Sequence, residues 1–111
     1  MAGHVIVVGL SEVLEARDGL SLYDCAPCTR LVVRTANTSY RVEIARPPEL
    51  RIQGGAFFPR PEVAWLVGAC DVPGGPVKSG WIGVGLRIDL RCRGHHIVTS
   101  PVRYIEIEQA G

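Results

Sequence analysis

Beyond Arg30, apolar and polar residues alternate with a period of two, and that alternation predicts strands. The clearest run is GWIGVGLRIDLRC. In it Ile82, Val84, Leu86, Ile88 and Leu90 alternate with Gly83, Gly85, Arg87, Asp89 and Arg91. The pattern predicts one long half-buried strand, bent over its two glycines. RLVVRTA and SYRVEIA flank Asn37 and Thr38 and predict a hairpin. In the second of these, Tyr40, Val42 and Ile44 face one way, Arg41 and Glu43 the other. LRIQGG predicts a further short strand; VAWLVGA fits a buried strand or a helical turn, and its short length and nearby breakers favour the strand. ARPPEL and FFPRPE read as proline-stiffened connections, and DVPGGPVKSG as a loop. Near the end, Ile97 and Thr99 finish one strand, Ser100-Pro101 makes a tight turn, and Ile105 and Ile107 face inward from the last.

The first 29 residues follow a different pattern. HVIVVG predicts a short strand. LSEVLEARDG predicts a short helix, with Ser11 as N-cap, Leu10, Val13 and Leu14 on one face, and Gly19 as the stop. The expected organisation is an N-terminal strand/helix arm over 1–29 and a β domain over 30–111. The expected fold class is all-β: a small antiparallel barrel, SH3-like or similar, of six or seven strands with a short N-terminal helix.

Composition agrees with this reading. The chain has 111 residues, enough for one domain with a modest core, and 47% are apolar. Its 13 glycines and 8 prolines suit many short strands joined by tight turns. No apolar run approaches the ~20 residues of a membrane span. GHVIVVGL lacks the flanks of a secretory signal, so a cytoplasmic location is expected.

RTANTSYRVEI, GGAFFP, LVGA, GWIGVGLRIDL and VTSPVR, spread over residues 30–108, resemble segments of a group of small uncharacterised bacterial proteins. The resemblance implies that the polar turns, the Gly-Gly-x-Phe-Phe-Pro loop and the Gly-Trp-x-Gly strand belong together. It carries no catalytic residue across.

Charge adds one asymmetry to a net of +1. Residues 1–29 carry Arg17 against Glu12, Glu15, Asp18 and Asp24, a balance of −3. Residues 30–60 carry six arginines against Glu43 and Glu49, a balance of +4. Small barrels bind single-stranded nucleic acid through such arginines and stacking aromatics. The near-zero net charge argues against that use here.

The CAPC pair invites a chemical reading. A redox C-x-P-C needs a helix starting at its first cysteine, but TRLVVRT follows, which predicts a strand. A structural zinc site would draw its four ligands from Cys25, Cys28, Cys70, Cys92 and His95. His95 and His96 are strand neighbours pointing to opposite faces, so they do not serve one ion together. GGPVKSG departs from a phosphate loop because Val77 stands at the second glycine position. No set of nucleophile, base and acid is visible.

The leading expectation is therefore a non-catalytic interaction module without a cofactor. It would bind a protein or polar partner, a second copy of the chain among the candidates. Its surface would comprise Phe57, Phe58 and Trp81 with Arg34 and Arg41. The alternatives are the zinc site and single-stranded nucleic acid.

Overall fold

The computed structural model describes residues 5–8 and 19–108. Its strands are β1 (Val5–Val8), β2 (Gly19–Ser21), β3 (Arg30–Thr35), β4 (Ser39–Ile44), β5 (Glu49–Gly54), β6 (Phe58–Cys70), β7 (Val77–Ser79), β8 (Trp81–Gly83), β9 (Arg87–Cys92) and β10 (His95–Glu108). A 3-10 turn over Leu22–Asp24 follows β2. The chain is all-β among the described residues, with ten strands rather than six or seven. The helix expected over 10–19 lies outside the described residues except for Gly19, which opens β2.

Antiparallel pairing runs β3–β4–β5–β6–β9–β10 and returns from β10 to β3, so six strands form a ring. Three additions dress it. β1 pairs parallel to the end of β10, β7 pairs with the end of β6, and β2 and β8 form a separate two-stranded ribbon.

Two long strands close the ring. β6 pairs with β5 through its first half and with β9 and β7 through its second. β10 pairs with β9 through its first half and with β3 through its second. Each changes partner across register shifts, and an extra residue on one strand is what bends and twists a ladder. The predicted bend over Gly83 and Gly85 is corrected accordingly. That run is cut into β8 and β9 by a turn in which Leu86 N–H donates to Gly83 O, with Gly85 at φ +86°. Val102 fills the turn: Gly85 N–H donates to Val102 O and Val102 N–H to Leu86 O, both at 2.8 Å.

Two further sequence expectations change for related reasons. Ser100-Pro101 makes no turn, because β10 continues through it with a bend. The β10 register against β9 shifts between Val98 and Pro101, so the missing proline N–H breaks no regular ladder. There the Thr99 hydroxyl accepts the Ile88 N–H at 3.0 Å, satisfying an amide the shift would strand. FFPRPE is likewise no connection, since β6 begins at Phe58. Pro59 and Pro61 sit where the β5–β6 register shifts between Ile52 and Gly54.

The core lies inside the ring. Leu31, Val33, Tyr40, Val42, Ile44, Leu50, Ile52, Ala64, Leu66, Ile88, Leu90, Ile105 and Ile107 are all buried, and each occupies the inward phase of its strand. Leu20 and Leu22 join the same cluster, so residues 19–22 are built into the core.

Thr35 ties the β3–β4 turn to the bend of β10. Its hydroxyl takes hydrogen bonds from Ser100 Oγ at 2.8 Å and from the Thr38 and Asn37 amides, and lies 3.1 Å from Thr38 O. Thr35→Val keeps the shape and removes these partners. The turn amides can turn to water, but the half-buried Ser100 hydroxyl cannot easily do so. The variant should lose about 1–3 kcal/mol in urea unfolding.

Candidate interaction surface

The residues expected to form one binding surface separate into three places. Phe58 is the clearest correction. It is 1% exposed and packs edge-on against Tyr40, with ring centroids 6.3 Å apart. The inward alternation of Leu66 and Ala64 does not carry through the exposed Arg60, because the β5–β6 register shifts between Glu62 and Phe58; Phe58 is turned into the core beyond that shift, where it pairs with Gly54. Phe57, in the turn just before β6, is 61% exposed.

Trp81 is half-buried in the β2–β8 ribbon. Its indole lies so close over Gly19 and Gly83 that a Cβ at either would fall 2.7 and 2.6 Å from it. Lys78 Nζ sits 3.8 Å from the ring centroid, a cation–π contact. The indole is thus engaged within the chain. Arg34 and Arg41 do share the outer face of β3 and β4. Arg34 lies over the Tyr104 ring at 5.4 Å. Arg41 lines a groove of about 320 Å³ beside Arg30, Glu43 and Arg51.

The proposed zinc ligands are dispersed. Among the described residues no three His, Cys, Asp or Glu side chains are grouped to hold a metal ion. Cys25 and Cys28 belong to a turn that feeds β3. Cys28 N–H donates to Ile44 O, and Thr29 N–H to Ala26 O. Cys28 takes φ +68°, and its side chain is exposed. The Cys25 thiol is pushed above its ordinary pKa by burial and then by Asp24, opposite to what a thiolate nucleophile or ligand requires. Burial does the same to Cys70, with Asp89 and Asp71 adding to the rise and Arg87 opposing it. Cys92 is buried, its thiol directed at Val63 O at 3.4 Å.

A second concavity of about 450 Å³ lies where the β5–β6 turn meets the β9–β10 hairpin. It brings Phe57 and Phe58 beside Cys92, His95 and His96. An Arg93–Glu62 ion pair at 2.8 Å lines one part of it. His96 Nε2 is committed to the carboxylate of the buried Asp89, at 2.5 Å from Oδ1. A buried carboxylate without such a partner would be costly, so this histidine has a structural duty.

The surface that sequence reasoning missed is on β6. Val63 is 48% exposed and Trp65 53%, both on the outward phase of the strand. VAWLVGA is apolar on both phases, so no alternation marks which residues face out. Only the register supplies the neighbours. Val63 stands opposite Arg51 of β5, and Trp65 stands between Glu49 of β5 and Arg91 of β9.

Comparison of the chain with protein-family models, curated proteins and solved structures finds no match. No helix of the described residues is long and apolar enough to cross a membrane.

Proposed function

We propose that this protein is a non-catalytic interaction module. Its six-stranded ring acts as a small closed β-barrel, SH3-like in the use of strongly bent strands. The barrel presents the outer face of β4, β5, β6 and β9 to a protein partner. The observation that carries this reading is the exposed pair Val63 and Trp65, side by side on one strand and bordered by Arg51 and Arg91. Tryptophan and arginine are the residues most enriched at the energetic centres of protein interfaces. A sheet face is also a rigid platform, so little ordering of the backbone opposes docking.

Trp65 replaces Phe58 and Trp81 as the aromatic anchor, because those two spend their area inside the chain. Arg41 remains part of the surface, joined to it through Arg51. The supporting experiment is affinity capture from cell extract, with wild type and Trp65→Ser compared by quantitative mass spectrometry. Trp65→Ser should reduce recovery of a specific protein partner roughly thirty-fold, since truncating an anchoring Trp costs about 2 kcal/mol or more. Its unfolding free energy should change by less than about 0.5 kcal/mol, the usual range for a surface site. Equal recovery by both proteins would refute the reading.

A further inference from the structure

We infer that the groove over β3, β4 and β5 seats the acidic side chain of an extended partner segment, whose neighbouring apolar side chain rests on Val63 and Trp65. This rests on the interaction-module reading and adds the chemistry of the partner.

A ladder of alternating charges crosses the sheet. Strand register places Glu108, Arg30, Glu43, Arg51 and Val63 in one row across β10, β3, β4, β5 and β6. Arg41 sits two residues from Glu43 on the same face of β4. Glu108 lines the groove as well, so two carboxylates stand among three guanidinium groups, and the central one is Glu43. It pairs with Arg30, whose Nε is 3.7 Å from Oε2. Arg41 and Arg51 make no ion pair among the described residues. Arg41 faces only Val32 and Gln53 across its two ladders. Two guanidinium forks thus border the same groove with donors to spare. Guanidinium is shaped for a carboxylate or phosphate oxygen pair.

The next strand sets what accompanies the anion. Strands lie roughly 5 Å apart, and side chains two residues apart on an extended peptide are roughly 7 Å apart. A segment crossing the face with its acid over β4 and β5 therefore lays the residue two positions on over β6. There it meets Val63 and Trp65. A polyanionic backbone fits less well. It would run against Glu43, Glu49 and Glu108, which alternate with the arginines, and like charges across an interface are penalised. The face thus favours a single acid beside an apolar group over a continuous string of phosphates.

The test uses a capped peptide with glutamate and leucine two residues apart in a glycine-serine background. A control peptide carries glutamine for glutamate, and an oligouridylate serves as the polyanion. Binding to the full chain is followed by NMR at the Arg41 and Arg51 Nε–H groups and the Trp65 indole N–H. The acidic peptide should shift all three signals. Its affinity should fall about tenfold or more in R41Q/R51Q, the scale expected for a paired charge at an interface. Glu43→Gln removes the central one of the two competing carboxylates and should tighten binding; weakening in this variant overturns the inference. Arg41 and Arg51 are exposed and Glu43 is half-buried on the outer face, and urea unfolding of each variant checks that the fold is intact. Shifts of Trp65 with both peptides and silent arginines would overturn the anion site while leaving the apolar face standing. Tighter binding of oligouridylate would assign the arginines to nucleic acid. Shifts that follow protein concentration alone would assign the face to a second copy. No shift with the acidic peptide at millimolar concentration would overturn the inference outright, even if Trp65→Ser still abolished capture from extract.

Discussion

Phe58→Ala should remove about 3–5 kcal/mol of unfolding free energy, while Phe57→Ala, one residue away, should change it by less than about 0.5 kcal/mol. The two side chains are chemically identical and their rings touch, with centroids 6.5 Å apart. Their environments differ entirely. Phe58 is fully enclosed against Tyr40, and its removal leaves a cavity that the surrounding sheet cannot collapse to fill. The ring of strands makes collapse harder still, because β5 and β6 are tied to each other and to their outer neighbours by hydrogen bonds. Phe57 already spends most of its surface in water, so its loss exchanges one exposed apolar group for a smaller one. Urea titration of both variants reads the difference directly. Comparable losses for the two would refute the burial of Phe58 against Tyr40 and the exposure of Phe57.

Gly68→Ala should cost roughly 2–4 kcal/mol, through backbone strain and the loss of hydrogen bonds to β7. Gly68 takes φ +154°, and a Cβ there would fall 2.1 Å from Lys78 O. That oxygen is backbone, so no rotamer relieves the overlap. What can move is β7, a three-residue strand hydrogen-bonded to β6 on one side. The expected response is that β7 lifts away while the β6–β9 ladder holds. Hydrogen exchange should therefore accelerate around Val77–Ser79 and change far less in β9. Gly85→Ala is the matched control. Its φ is +86°, but nothing lies within 4 Å of the added methyl, so only the intrinsic left-handed penalty of about 1–2 kcal/mol remains. If the two alanine variants proved equal, the close approach of β7 to Gly68 would be refuted.

The inward faces of the short hairpin strands were legible in the sequence. Tyr40, Val42 and Ile44 alternate against Arg41 and Glu43, and all three are buried. Asn37 and Thr38 lie in the turn between β3 and β4 as expected. These features depend only on local periodicity and turn chemistry, which a single chain displays. The proposed interaction surface was half legible. Arg34 and Arg41 face outward as their phase requires, but Trp65 was hidden in a run apolar on both sides, and Phe58 was hidden by the prolines that follow it.

What the chain determined by itself was its β class and the facing of residues within uninterrupted alternating segments, because both follow from the two-residue period of a strand. Tertiary structure decided how those segments continue and what they meet. Prolines at register shifts let β6 and β10 run on where an isolated chain would stop, and Gly85 cuts the most regular pattern in two. It also decided that Trp81 is occupied by Gly19, Gly83 and Lys78, while Trp65 stands free between Glu49 and Arg91. The physical reason is that exposure and charge pairing are properties of cross-strand neighbours. Those neighbours are set by register between strands distant in sequence, which no local pattern encodes.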